Sequence, residues 1–405
     1  MVFVAISMVV LTGFLAMTLD VGSGNRTRRV AQTAADAAAL AGGSEIFRLI
    51  YDEAEVEASA RAEATRNGFT DGVDGVSVDV NYHPETADNP AYNGNPQYVE
   101  VLIRKTIPTI FGRFLDVPAL NVAVKAVAGV GSYSLNCVYT LDPSGPQSIN
   151  VSNGGELTTN CGVVVNSSHN NALSVNQSGI LDSKPSGSAV VGGWSGNKTP
   201  TPAPSTGAAP VNDPLSHLVP PTVGGCTHTG LLTLSAGTHT LNPGVYCGGI
   251  LIQSGSATAN LNPGVYVLKG GLEVRNSGVI NGTGVMFYNT FDATYPYKPF
   301  VFAQGCKAKL SAPTAGDYTG ILMYQDPAAV LAPGDKNIFA CAATVPPELT
   351  GSLYFPTQSI EFNGSDANTQ ILGSVIAKQV IIGGKIEILN QTTGSTALKR
   401  LSLVQ

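Results

Sequence analysis

Charged side chains are scarce in this sequence. Only 12% of its 405 residues are Asp, Glu, Lys or Arg, about half of what a soluble domain usually carries. The formal net charge is −6 and no block of basic residues occurs, which argues against a general nucleic-acid partner. Hydrophobic residues reach 43%, so the chain can build a sizeable core. With 46 Gly and 25 Pro residues, the composition favours β structure with polar, uncharged turns.

Sequence motifs of catalysis are also lacking. Neither a GxxxxGK(S/T) phosphate-binding loop nor an HExxH motif occurs, and Ser195 in GGWSG lacks the spacing of a nucleophile elbow. The acids of the second half are scattered singly, with Asp326 and Asp335 nearest to forming a group. Polysaccharide lyases and hydrolases need converging acids. We therefore predict no enzymatic activity and no cofactor, with a polysaccharide-active enzyme as the less favoured alternative.

The first nineteen residues carry no charge. As a helix this run is about 28 Å long, close to the roughly 30 Å thickness of the hydrocarbon core of a bilayer. A cleaved signal peptide is the alternative, but the basic start and the small-residue cleavage site of such a signal are not recognisable. The sequence therefore predicts an uncleaved membrane anchor with a helical extension, over residues 1–29.

Four charged residues follow the apolar run at the predicted membrane boundary: Asp20, Arg26, Arg28 and Arg29. The positive-inside rule applied to the arginines would keep the rest of the chain in the cytoplasm. Asp20 is predicted either to pair with a neighbouring subunit or to sit in the interface among these arginines.

Six cysteines argue for the opposite side of the membrane: Cys137, Cys161, Cys226, Cys247, Cys306 and Cys341. Six cysteines allow 15 connectivities. The simplest is the pairing of neighbours, 137 with 161, 226 with 247 and 306 with 341. Such bonds persist only in an oxidising compartment, so we predict an exported body. A zinc site made of Cys226, His228, His239 and Cys247 is the alternative to one of these disulfides.

Residues 30–132 combine helical and strand patterns. The Ala-rich VAQTAADAAALAGG predicts a helix that breaks at Gly42-Gly43. A second helix is predicted to be capped by Ser44 and to end at Gly68. Strand patterns follow at 76–80, 98–104 and 121–130, with a short helical segment at 107–115. This order predicts a small α+β module.

Residues 133–405 contain a repeat. The hexapeptide LNPGVY occurs at 241–246 and again at 261–266, and each copy is followed by an apolar strand. Such units must stack to bury a continuous core, and uncharged Asn side chains can form ladders between them. We predict an all-β solenoid, a right-handed parallel β-helix, with a β-sandwich as the alternative. The Pro-rich stretch 194–222 is predicted to project as an extended loop or to dock a partner.

Several of these segments resemble a known family. The apolar run ending in LDVG, the basic patch and AQTAADAAALAGG resemble the Tad (Flp) pilus-assembly proteins of the TadE/TadG-like group. VEVLIRKTIPTIFGRFLDVPALNVAVKAVAGV is similar to that group's α+β module, and LNPGVYCGGI and LTGSLYFPTQSIEFNG are similar to the C-terminal region of long TadG-like proteins. The resemblance implies an inner-membrane anchor, an exported body and other pilus or secretion-machine proteins as partners.

The expected function is therefore that of a membrane-anchored, non-enzymatic structural or assembly component of a bacterial Tad pilus. Its location would be the inner membrane, with the C-terminal body in the periplasm or outside the cell. The alternative is a surface adhesin that contacts glycans along one solenoid face. Exposed aromatic rings would carry that contact, with Tyr288, Tyr295 and Tyr297 as the first candidates.

Overall fold

The chain folds as two compact units. The computed structural model describes residues 2–47, 52–131, 136–341, 348–364, 369–390, 398 and 400–405. The smaller unit comprises Met1–Gly131 together with Lys399–Gln405, and the larger unit comprises Ser132–Leu398. Within the described ranges the fold is mostly β, with two α-helices and large parallel sheets.

The smaller unit is an antiparallel sheet with two helices. Its sheet has the strand order β1-β2-β3-β32. Its elements are α1 (Val2–Phe47), α2 (Glu53–Arg66), β1 (Val76–Tyr82), β2 (Tyr98–Pro108), β3 (Ala119–Gly131), the final strand β32 (Arg400–Leu403), and two 3-10 turns at Pro90–Tyr92 and Gly112–Leu115. The sequence predicts the three strands β1 to β3, but of the predicted helical segment 107–115 only the second 3-10 turn forms.

Helix α1 continues through Gly42-Gly43, so the predicted break there is wrong. Its sheet-facing side consists of small, fully buried residues at helical spacing: Ala31, Ala34, Ala35, Ala38 and Ala39. A Cβ added at Gly42 would lie 3.3 Å from the Val56 carbonyl oxygen, and one at Gly43 would lie 2.6 Å from Leu401. The glycines therefore allow α2 and β32 to approach closely, and this packing outweighs the cost of about 1 kcal/mol that a helical glycine carries.

Helix α2 begins later than predicted. Its N-cap is Asp52, whose carboxylate accepts a hydrogen bond from the Ala54 N–H at 2.9 Å, so the predicted Ser44 cap is wrong. Its C-terminal glycine is confirmed, because Gly68 follows the C-cap with a φ of +86°. Among the residues described, no helix combines the length and apolar character that crossing a membrane requires. The anchor at 1–29 stays a prediction.

The larger unit consists of three parallel strand ladders, which we name A, B and C. Ladder A contains β4 (Asn136–Thr140), β7 (Gly162–Val165), β10 (Ser188–Val190), β12 (Ser205–Thr206), β13 (His228–Thr229), β16 (Gly244–Cys247), β19 (Gly264–Lys269), β22 (Val285–Thr290) and β25 (Ile321–Gln325). Ladder B contains β5 (Ile149–Val151), β8 (Leu173–Val175), β11 (Trp194–Ser195), β14 (Leu232–Leu234), β17 (Ile250–Ile252), β20 (Leu272–Val274), β23 (Phe300–Phe302) and β26 (Asn337–Phe339).

Two long strands, β28 (Ser352–Phe362) and β30 (Val375–Ile382), take part in both ladders A and B. Ladder C contains β6 (Glu156–Thr159), β9 (Ile180–Asp182), β15 (Gly237–Leu241), β18 (Ala257–Leu261), β21 (Val279–Thr283), β24 (Lys307–Ser311), β27 (Glu348–Thr350), β29 (Thr369–Leu372) and β31 (Lys385–Leu389).

All strand pairs in the described part of this unit are parallel, whereas a β-sandwich is built from antiparallel strands. The sandwich alternative therefore does not fit.

The repeat found in the sequence sets the register of ladder C. Leu241 of the first LNPGVY copy pairs with Leu261 of the second. The next residues, Asn242 and Asn262, join through a side-chain amide hydrogen bond of 2.7 Å. Asn260 and Asn281 form a similar bond of 3.1 Å. The predicted amide ladder is thus present between successive repeats.

The repeats do not stack in chain order. Strands β4 and β5 pair with β30, and β6 pairs with β31, so the first repeats of the unit lie against its last ones. The ladders therefore begin in space at β13–β15 and end at β9–β12. The residues between β12 and β13 must carry the chain back over the intervening repeats. We name residues 207–227 the connector.

The carboxyl-terminal boundary differs from the predicted range 133–405. Residues 399–405 group with the smaller unit, because β32 pairs antiparallel with β3 along residues 400–403. The larger unit is thus inserted between two neighbouring strands of the smaller one.

Candidate functional site

Asp20 organises a compact site in the smaller unit. The residue lies on α1 with only 8% of its surface exposed. One carboxylate oxygen accepts the Ile110 N–H at 2.9 Å, and the other accepts the N–H groups of Phe111 at 2.9 Å and Gly112 at 2.7 Å. Three successive backbone amides of the β2–β3 loop thus converge on one side chain. Asp20 therefore ties this loop to α1.

The loop itself is closed by further hydrogen bonds. The Thr109 hydroxyl donates to the Val117 carbonyl at 2.6 Å, and the Val117 N–H donates to the Gly112 carbonyl at 3.0 Å. Asp116 adopts a left-handed conformation with φ of 57° at the end of the 3-10 turn. The result is a defined loop that presents its side chains outward.

The outward side chains of this loop are mainly apolar. Phe114 is 78% exposed, and Ile110, Phe111 and Val117 are exposed as well. On α1, the residues around Asp20 are also exposed and apolar: Met17, Leu19 and Val21. We name these seven residues the apolar tip. Sequence reasoning missed the tip, although three large apolar residues in the strand connection TIFGRF were a usable signal.

Hydrogen bonding lowers the pKa of the Asp20 carboxyl. The Ile110 N–H is the largest influence that lowers its pKa below 3.8; burial opposes this, and the Gly112 and Phe111 amides and the Arg113 charge add to the lowering. Because the anion is the form that binds the loop, this stabilisation is present above the ordinary Asp pKa and is lost as the pH falls through the lowered one. Arg26, Arg28 and Arg29 are exposed on α1. The place of Asp20 and these arginines at a membrane boundary stays a prediction.

We expect Asp20→Asn to loosen the β2–β3 loop. The amide keeps one acceptor oxygen but places N–H donors opposite the Phe111 and Gly112 N–H groups, where donor meets donor. Hydrogen exchange of the full chain in detergent should show faster exchange at residues 110–112. Asp116→Asn is the matched control, because Asn tolerates the same left-handed backbone. If the amides of residues 110–112 exchange equally slowly in both variants, Asp20 does not hold the loop to α1.

The three predicted disulfides are confirmed: Cys137–Cys161, Cys226–Cys247 and Cys306–Cys341. The first joins neighbouring repeats at β4 and just before β7, and the second joins the connector to β16. The alternative zinc site is thereby excluded, because Cys226 and Cys247 bond to each other. The His239 ring instead contacts the Ala236 carbonyl at 2.8 Å. In the described residues, no group of three or more His, Cys, Asp or Glu side chains could hold a metal ion.

The amino-terminal segment that carries Asp20 is also the part of the chain that matches a known protein family. Residues 1–45 match the Tad family model, Flp pilus-assembly TadE/G-like. Neither a curated protein nor a solved structure matches the chain significantly. The family resemblance is thus confirmed for the Tad segment, which coincides with nearly all of α1. It supports a Tad pilus component that is associated with the membrane and has other pilus-machinery proteins as partners.

Beyond the Tad segment, the connector forms a second organised surface. The Asn166 side chain exchanges hydrogen bonds with the Val211 backbone at 2.6 and 2.9 Å. Three tyrosine hydroxyls hold the following residues: Tyr354 donates to the Asp213 carboxylate at 2.7 Å, Tyr324 to the Leu218 carbonyl at 3.2 Å and Tyr318 to the Val219 carbonyl at 3.0 Å. Burial and the Asp213 carboxylate raise the pKa of Tyr354. The connector is therefore fastened along ladder A.

These contacts correct the prediction for residues 194–222. The first part of that range contributes the short strands β11 and β12 to the ladders, and irregular backbone joins them over residues 196–204. The second part does not project, because Leu215 is only 1% exposed. It packs into a second hydrophobic cluster between the connector and the outer face of ladder A, with Val267, Met286 and Ile376 among its members.

The residues suggested for glycan contact or catalysis are not assembled into an open site. Tyr288 and Tyr297 are buried, and Tyr295 packs against the cluster beneath the connector. The predicted exposure is therefore wrong for Tyr288 and Tyr297, whereas Tyr295 is half-buried. Asp326 accepts a hydrogen bond from the Thr290 hydroxyl at 2.5 Å, and Asp335 lies in an exposed turn.

Proposed function

We propose that this protein is a membrane-anchored, non-enzymatic component of a Tad (Flp) pilus that acts through protein contacts outside the cytoplasm. The Tad match over residues 1–45 carries the proposal. The matched segment joins the apolar run to the part of α1 that packs on the sheet of the smaller unit. One continuous helix can thus serve as membrane anchor at its start and as scaffold for the smaller unit at its end.

We infer that the larger unit is a β-solenoid. All repeats but the one that contains β12 supply strands to ladders A and B, and most also supply one to ladder C. Each strand pairs in parallel with its counterpart in the neighbouring repeat. This pattern supports coils that stack along one axis. Right-handed crossovers join parallel strands in nearly all known cases, so we assign a right-handed β-helix. Solenoids offer long surfaces for protein contact, which fits a structural role.

The disulfides favour an exported body. All three lie in the larger unit, and the Cys residues of two of them are buried within its main core. Such bonds are stable in the periplasm or outside the cell but are rarely kept in the cytosol. We therefore place the larger unit on the outer side of the inner membrane.

The test uses the full chain in a bacterium that makes a Tad pilus. We expect the protein in the inner-membrane fraction, three disulfides in non-reduced peptides and co-purification of pilus-machinery subunits. Val10→Arg with Leu11→Arg should release it from the membrane and abolish its support of piliation, because each central Arg costs about 2.5–3.5 kcal/mol on insertion.

The matched control introduces the same two charges elsewhere. Val219→Arg with Leu231→Arg places arginines at two exposed positions of the larger unit, and this variant should remain membrane-bound. The proposal fails if the unmodified chain is recovered from the cytoplasm with free thiols. It also fails if pili form normally in cells that lack the protein.

A further inference from the structure

We propose that the apolar tip of the smaller unit is seated in the phospholipid interface next to the membrane anchor. This inference rests on the proposed function, because it requires α1 to enter the bilayer. It adds a second point of membrane contact, formed by the β2–β3 loop. The tip would fix how the smaller unit stands on the membrane, in addition to the single helix that tethers it.

The position of Asp20 on α1 determines the depth of the apolar tip relative to the membrane. Asp20 is the first charged residue after the uncharged run 1–19, so it marks where the chain leaves the hydrocarbon. Its hydrogen bonds of 2.7–2.9 Å hold the backbone of residues 110–112 at that same level. The exposed side chains of the loop therefore extend from a backbone that is held at this boundary.

The chemistry of the tip suits the boundary between acyl chains and headgroups. Phe114 is exposed, and the Arg113 guanidinium lies 5.7 Å from the centre of its ring. The Arg113 Nε also donates to the Ile110 carbonyl at 3.0 Å, which holds the cation at the tip. An aromatic ring and a neighbouring cation match the acyl-chain border and the phosphate groups, respectively.

Lipid is favoured over a protein partner as the occupant of the apolar tip, because the tip is continuous with the apolar run of α1. The exposed residues of α1 near Asp20 extend directly from the run that the bilayer would surround. The backbone of the β2–β3 loop is held to this same stretch of helix, because Asp20 joins the two. The tip thus enlarges a surface that lipid already covers.

The experiment introduces an indole as a depth probe. Trp194 is the single tryptophan of the sequence, and Trp194→Phe removes it. Phe114→Trp then places a probe at the tip, and Phe291→Trp, at an exposed phenylalanine of the larger unit, is the matched control. Both full-length variants are reconstituted into vesicles of phosphatidylethanolamine and phosphatidylglycerol. Quenching by acyl-chain-brominated lipid is compared with quenching by acrylamide in the aqueous phase.

We expect brominated lipid to remove most of the emission of the Phe114→Trp probe and acrylamide to quench it weakly, with the opposite result for Phe291→Trp. If the chain associates with the vesicles but acrylamide quenches the Phe114→Trp probe as strongly as the Phe291→Trp probe, the inference is overturned. The proposed membrane anchoring would not be affected by that result. The tip probe could instead become protected from acrylamide as the protein concentration rises, without being quenched by brominated lipid. This result would indicate that a second copy of the chain covers the tip, and it would also overturn the inference. A chain that does not associate with vesicles refutes the proposed anchoring itself.

Discussion

Phe287→Ala should lower the free energy of unfolding of the larger unit by about 3–5 kcal/mol. Phe287 in β22 is fully buried in the main core. Its ring centre lies 5.6 Å from that of Tyr266 and 6.5 Å from that of Phe300. Tyr266 lies in the preceding repeat, on the strand that pairs with β22, and Phe300 lies on β23 of the same repeat. The substitution therefore opens a cavity where neighbouring repeats meet. The close packing of the core restricts how far the neighbouring side chains can move into that space.

Urea unfolding followed by the fluorescence of Trp194 measures this effect, because the single tryptophan lies in the larger unit and packs against its core. The matched control is Phe291→Ala, four residues further along the chain and exposed, with an expected change within about 0.5 kcal/mol. A similar midpoint for both variants would show that the rings do not pack between repeats as described. Combining Phe287→Ala with Phe300→Ala should reveal a coupling of about 1 kcal/mol.

Leu215→Ala should destabilise the same unit by about 3 kcal/mol. Leu215 is the buried residue of the connector, and the leucine side chain helps to close the cluster over ladder A. Its backbone is fixed as well, because its N–H donates to the Asp213 carboxylate at 2.9 Å and its carbonyl accepts from Leu218 at 3.0 Å. Truncation therefore leaves a cavity that the held backbone cannot fill by moving inward.

The control for this prediction lies in the same connector. Val219 is 75% exposed, so Val219→Ala should change stability by no more than about 0.5 kcal/mol. Limited proteolysis of residues 207–227 provides a second readout, with faster cleavage expected for Leu215→Ala alone. If the two variants unfold and are cleaved alike, the connector contributes no core and merely overlies the surface.

Features that follow from local sequence were predictable. The LNPGVY copies give the register of ladder C because identical residues occupy equivalent places in successive repeats. Pairing of neighbouring cysteines was also predictable, because sequence separations of 21 and 24 residues approximate one repeat. The alternation at 76–80 identifies β1, since every second side chain faces the helices.

Features that depend on distant contacts were not predictable. A repeat period does not say which repeat stands at an end, so the pairing of β4 with β30 could not be inferred. The prolines of the connector indicate an extended chain but not the surface on which it lies. The partners of Asp20 are backbone amides about ninety residues away. Nearly every residue has such an amide, so the sequence does not indicate which ones bind the carboxylate. At Gly42-Gly43 the local preference of glycine was overridden by the packing of α1.

The late arrival of β32 has a consequence for biogenesis. This strand occupies the edge position beside β3, yet the ribosome makes it only after all of residues 132–398. Until then, the hydrogen-bonding edge of β3 from Ala128 to Gly131 has no native neighbour, and such an open edge invites pairing with other chains. A chain that stops before residue 400 would keep that edge unpaired, and it would therefore be more prone to pair with other chains than a chain that carries β32.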